Sequence, residues 1–140
     1  MIVLDLFSGA GGLSEGFHNE GFKIVSQIER DKWACETLTT RTIFHYLNKN
    51  KDLDTYFEYI KIANDYKNIN VSRRFIFEKY PELKEILSYE ILNKKFGNPQ
   101  NDEEATSLKE ITKLIENSLK YNDENNIDLI IGGHHAKPIQ

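Results

Sequence analysis

Two rhythms of apolar and polar residues run along the chain. Met1 to Phe7 is a short apolar run with two β-branched residues, the mark of a buried strand. Ser8 to Gly12 is glycine-rich and breaks it. Leu13 and Phe17 then fall four apart on one face, which predicts a helix over Leu13 to Glu20 that stops at Gly21. Phe22 to Ile28 (FKIVSQI) reads as a second strand, with Glu29 directly after it. Asp31 is placed to cap a helix over roughly Lys32 to Leu38. Strand, turn, helix, strand and helix make the opening half of an open α/β sheet.

From about Arg41 to Asn126 the rhythm becomes helical. Leu53, Phe57 and Ile60 form one stripe. Leu83, Ile86, Leu87 and Ile91 form a second, and Leu108, Ile111, Ile115 and Leu119 a third. Phe75 to Tyr80 ends at Pro81, and Gly97-Asn98-Pro99 is a break. The pattern predicts three to five helices inserted between two strands. Asn122 to Asn126 is a polar turn, and Ile127 to Ile131 reads as the third strand. The fold calls for one more strand between the second and third, which the apolar pattern does not place. No internal repeat stands out.

Composition narrows the field. A chain of 140 residues with 39% hydrophobic and 29% charged content is ordinary for one globular domain. The net charge of -4 argues against a chain that grips DNA by itself, although a local basic patch remains compatible with it. One cysteine, Cys35, allows no intrachain disulfide and fits a reducing compartment. The apolar runs are too short to span a bilayer, and the N-terminus lacks a basic region before an apolar stretch. The expectation is a cytoplasmic protein without a membrane partner.

Two features carry chemistry. Glycines at 9, 11 and 12 sit between a strand and a helix, where the backbone can approach a ligand and the helix N-terminus offers free N–H groups. The same glycines also serve a tight turn with no ligand. Glu29 lies 20 residues after Gly9, where a carboxylate can accept the two hydroxyls of a ribose. It can equally be a solvated charge or part of a helix cap. His134 and His135 are adjacent, so their side chains diverge on an extended segment. His18 and His45 have no ligand spacing, and no metal site is expected.

DLFSGAGGLSEGF, Asp5 to Phe17, resembles the first signature motif of the DNA (cytosine-5-)-methyltransferases. IERDKWACETL, Ile28 to Leu38, is similar to their second motif. DLIIGG, Asp128 to Gly133, resembles the strand leading into their catalytic loop, and the three lie in the family's order. The resemblance implies an α/β, incomplete Rossmann-like S-adenosylmethionine-dependent methyltransferase fold with a helical insertion. It implies bound S-adenosyl-L-methionine, with Asp5, Phe7, Ser8, Gly9, Ala10, Gly11, Gly12 and Leu13 around the methionine end. Glu29 would hold the ribose hydroxyls, and Arg30 stands where the family often offers an apolar side chain to the adenine. The family's adenine-contacting acid is not assignable within the insertion. On this reading 1–40 is the cofactor-binding βαβα half and 41–126 a mainly helical insertion. Residues 127–133 are the strand toward the catalytic loop, and 134–140 an aberrant tail.

The family attacks cytosine C6 with a cysteine thiolate, in Gly-Gly-Pro-Pro-Cys-Gln, after flipping the base out of the duplex. Here Gly132, Gly133, His134, His135, Ala136 and Lys137 stand in register, so Ala136 occupies the nucleophile position. Pro-Pro-Cys-Gln-Ala-Tyr-Ser, written in suitable codons with one base deleted, translates as His-His-Ala-Lys-Pro-Ile-Gln, which is His134 to Gln140. The expectation is therefore a frameshifted, prematurely ended chain, inactive alone. It would come from a restriction-modification enzyme whose full length binds DNA. Alternatives are one subunit of a split methyltransferase completed in trans by a complementary polypeptide, a homo-oligomer, or a non-catalytic cofactor-binding or interaction domain. A different nucleotide-binding Rossmann protein is disfavoured by Phe7-x-Gly-x-Gly-Gly.

Overall fold

A computed structural model describes residues 1–133, so the expectations placed on Ala136 and the rest of 134–140 lie outside the described residues. The elements, in order, are β1 (Ile2–Leu6), α1 (Gly12–Asn19), β2 (Lys23–Glu29), α2 (Lys32–Lys49), α3 (Leu53–Tyr66), α4 (Ile69–Lys79) and α5 (Leu83–Glu90). There follow β3 (Ile91–Asn93), β4 (Lys95–Phe96), β5 (Ala105–Thr106), α6 (Leu108–Tyr121) and β6 (Leu129–Gly132). The chain divides into two compact units, residues 1–38 with the stretch from 89 onward, and residues 39–88.

The first unit is built on a four-stranded sheet of order β3-β2-β1-β6, with every neighbour parallel. This is a Rossmann-like α/β arrangement. Side chains alternate across such a sheet, and the alternation sorts the helices. Leu4 and Ile28 point to one face and join Leu92 of β3 and Ile111 of α6 in the buried apolar cluster, with Phe96, Leu114 and Ile115 against it. Asp5 and Gln27 pair in register on the opposite face, where Ser14 of α1 meets Gln27. The helices α1 and α6 therefore cover opposite faces, as a parallel sheet requires.

The strand that the apolar pattern could not place is β3. Ile91 belongs to it, not to the preceding helical stripe, and pairs with Gln27 of β2. A small parallel pair, β4 with β5, was also absent from the sequence reading. Helix α2 runs on to Lys49, well past the expected end at Leu38, because neither glycine nor proline interrupts it. Two stripe assignments change as well. Leu108 opens α6 but is exposed, and Ile111 and Ser118 are the buried residues of that helix.

The second unit packs α3 on α4 and buries Ile43, Leu47, Tyr59, Ile76, Leu83 and Leu87. Phe57 of the expected α3 stripe is exposed, and Thr55 and Tyr59 take the buried face. Asp52 caps α3 through Thr55, accepts from the Tyr80 hydroxyl and pairs with Lys79 at 3.4 Å. The Tyr80 hydroxyl, with Thr55, holds the Asp52 carboxyl well below the usual carboxylate range.

Candidate functional site

The site lies at the carboxyl ends of β1, β2 and β3, the edge of a parallel sheet where the loops to the following helices leave open space. Between β1 and α1 the backbone takes an unusual course. Phe7 has φ 58 and Gly9 φ 54, both left-handed, and Gly11 has φ 80. A non-glycine residue in that region costs about 1–3 kcal/mol, and such strain gathers at ligand sites. The turn is held by the Ser8 N–H on the Ile28 carbonyl at 3.2 Å and the Gly11 N–H on the Ser8 carbonyl at 3.0 Å.

Glycine is needed at 11 for two reasons. Its φ is left-handed, and a Cβ there would stand 2.5 Å from Leu38 Cδ2. At Gly9 and Gly12 a Cβ would meet nothing within 4 Å. These two open on free space, the side from which a ligand can reach the backbone.

Glu29 ends β2 and is buried. Its carboxylate bridges the loops of two strands, accepting from the Gly9 N–H at 2.8 Å and from the Asp31 N–H at 2.8 Å. Asp31 in turn caps α2 by accepting from the Ala34 N–H at 2.7 Å, as its position suggested. Arg30 is exposed beside it. Phe7 and Leu13 are also largely exposed, and the Phe7 ring lies 5.1 Å from that of Phe96. Ser8 is buried; Ala10 and Gly12 flank it in the turn and at the start of α1.

Asp5 is the outlier. It is 0% exposed, yet neither carboxylate oxygen has a hydrogen-bond partner among the described residues. The nearby hydroxyls are committed elsewhere: Ser14 donates to Gln27 Oε1 at 2.7 Å, and Ser8 to the Asp5 carbonyl at 3.1 Å. Burial pushes the Asp5 carboxyl up to about 6, helped by the charge of Glu29 and opposed by the two hydroxyls.

A cavity of about 430 Å³ lies past the end of β2, lined by Arg30, Asp31, Asn93, Lys95 and Glu104. Asn93 ends β3 opposite Glu29 and donates to the Glu29 and Arg30 carbonyls at 2.9 and 3.0 Å. The sequence reading missed Asn93, Lys95 and Glu104. The usable signal was topological: a third parallel strand must end beside Glu29, and its last residue must face the same cavity.

Cys35 in α2 is buried, lies 3.5 Å from the Glu29 carbonyl, and has its thiol pushed up to about 11 by burial. Among the described residues no group of His, Cys, Asp and Glu could hold a metal ion. No described helix is long and apolar enough to cross a membrane.

The family model for C-5 cytosine-specific DNA methylases matches residues 1–71. The Type II methyltransferase M.Bpa9945I of Bacillus paralicheniformis is 55% identical over 133 residues, covering 95% of this chain and 30% of that protein. M.PspPI of Psychrobacter sp. is 53% identical over 36 residues, covering 26% of this chain and 9% of its own length. M.AquIA of Picosynechococcus sp. is 47% identical over 36 residues, covering 26% of this chain and 14% of its own length. The chain thus spans less than a third of these relatives. No solved structure matches it significantly.

Proposed function

The chain belongs to the C-5 cytosine-specific DNA methylase family, and on that basis we propose that it is the S-adenosylmethionine-binding N-terminal portion of a DNA (cytosine-5-)-methyltransferase of a restriction-modification system. The observation that carries this reading is Glu29. It stands at the end of β2 with its carboxylate on the Gly9 N–H, beside glycines that open on free space. The residues suit the cofactor on a further ground: the buried Asp5 carboxylate has no hydrogen-bond partner among the described residues, and the ligand is cationic at its methionine end.

When bound, S-adenosylmethionine supplies the methyl group. The residues of the chain bind and orient. Glu29 takes the ribose hydroxyls. Phe7, Ser8, Ala10, Gly12 and Leu13 border the methionyl end, with Asp5 beneath it. The cavity by Arg30 would take the adenine, and Asn93 at the end of β3 would offer it a side-chain oxygen as acceptor. Calorimetric titration of S-adenosylmethionine against the chain and its Glu29→Ala variant tests this. Binding in the first and a loss of at least tenfold in the second are expected; no binding to the unaltered chain overturns the reading.

The chain transfers no methyl group alone. Ala136 stands at the nucleophile position, and the single cysteine, Cys35, is buried with a thiol that stays protonated. Residues 134–140 are the catalytic motif read in a shifted frame. Sequencing the gene across codons 133 and 134 tests that: a single-base change there must open a frame with Pro-Pro-Cys-Gln. Completion in trans by a complementary methyltransferase polypeptide is a second reading, and among the described residues β6 lies at the edge of the sheet with its Ile130 59% exposed. Co-expression with such a polypeptide and an assay for 5-methylcytosine in DNA separates it from a non-catalytic domain.

A further inference from the structure

Two buried carboxylates lie toward the carboxyl edge of the sheet, Asp5 near the end of β1, in register with Gln27, and Glu29 at the end of β2, near enough for its charge to act on Asp5. Glu29 is satisfied by two backbone N–H groups. Asp5 is not: the Ser8 and Ser14 hydroxyls lie near enough to favour its charged form, but both donate their hydrogen bonds to other oxygens. A buried ionised carboxylate without a partner is expensive, so the group either takes a proton or meets a cation. The groups facing it are Glu29 and Gln27 from β2, Ser14 from α1 and Ser8 from the turn. Ile131 stands opposite it on β6. Glu29, the charged member of that set, has the wrong sign to compensate it.

We propose that Asp5 exchanges a proton for the cationic methionyl end of the cofactor: a carboxylic acid when the site is empty in mild acid, a carboxylate when it is filled. This rests on the reading of the site as one for S-adenosylmethionine. The balance is simple. The O–H bond of the Asp5 carboxyl breaks, the proton passes to the solvent buffer, and no bond to the ligand forms. One protein charge appears against one ligand charge. The carboxyl pushed up to about 6 sets the window in which the exchange is visible. Asp5 then favours the charged methyl donor over uncharged nucleosides of similar shape, which offer nothing to offset the carboxylate.

Calorimetric titration of the full chain, repeated in buffers of different ionisation enthalpy, counts the protons. With S-adenosylmethionine, release of about 0.9 proton is expected at pH 5, about half at pH 6 and close to none at pH 8. The Kd at pH 5 should be about tenfold weaker than at pH 8. 5′-Methylthioadenosine, which lacks both cations, should release none at any of these pH values. Asp5→Asn should abolish the release and flatten the pH profile. An infrared difference spectrum on saturation at pH 5 provides a readout without any variant, because the carbonyl band of a buried carboxylic acid should vanish. Binding without proton release at pH 5, or release that survives in Asp5→Asn, overturns the exchange and leaves the cofactor reading standing. Absence of binding at every pH overturns both.

Discussion

Asp5 is buried with no hydrogen-bond partner for its carboxylate among the described residues, and that makes a prediction about stability alone. Its carboxyl moves from an ordinary 3.8 to about 6 on folding, chiefly through burial. At about 1.4 kcal/mol per pKa unit, the difference is worth about 3 kcal/mol. For a carboxyl raised in the folded state, the contribution is fully present below about pH 4 and lost as the pH rises through about 6. Above that, the fold carries an unpartnered buried charge. Asp5→Asn keeps the shape and removes the charge. It should stabilise the ligand-free protein by about 1–3 kcal/mol at pH 8, the lower end allowing for local rearrangement. At pH 4 the gain should shrink toward zero. Urea denaturation followed by far-ultraviolet circular dichroism at the two pH values measures both. A variant less stable than the parent at pH 8 would refute the reasoning, and so would an equal gain at both pH values. Either outcome would mean that Asp5 has found a partner or sufficient water in solution. A stabilised variant that binds S-adenosylmethionine less well would show a site kept at some cost to stability.

Three further substitutions probe local features of the two units. Gly11→Ala should cost about 1–3 kcal/mol, since it combines a left-handed residue with a Cβ pressed on Leu38, and the urea midpoint should fall accordingly. Ser107 caps α6 by accepting from the Glu110 N–H at 3.3 Å, and Ser107→Ala should cost about 1 kcal/mol by the same measurement. Asp52→Ala removes the α3 cap, the Tyr80 hydroxyl bond and the Lys79 pair together, so helicity should be lost at lower temperature in a circular-dichroism melt. Because the Asp52 carboxyl is held below its ordinary range, its contribution is present above about pH 4 and lost in stronger acid. The parent and Asp52→Ala should therefore converge as the pH falls.

Local rules sufficed for part of the fold, and the remainder shows where they give out. The β1 turn, Gly21 and the Asp31 cap follow from residue chemistry within a few positions, and each stands where the pattern put it. Ile91 shows the limit. It lies four residues after Leu87, so a helical period claims it, and no glycine or proline separates α5 from β3. Only pairing with Gln27, 64 residues back, makes it a strand, and no window along the chain contains that information. Asn93 was hidden for the same reason. Its position beside Glu29 is a consequence of register rather than of any motif. Phe57 and Leu108 fail in another way: their spacing is helical, but spacing alone does not say which stripe a neighbouring element will cover. Asp5 combines both cases. Its place before the glycine turn was legible, whereas its lack of a partner arises only when Ser8 and Ser14 spend their hydroxyls elsewhere. The sequence thus marked Asp5 by its place in a motif, whereas its burial without a partner among the described residues is visible only in the fold.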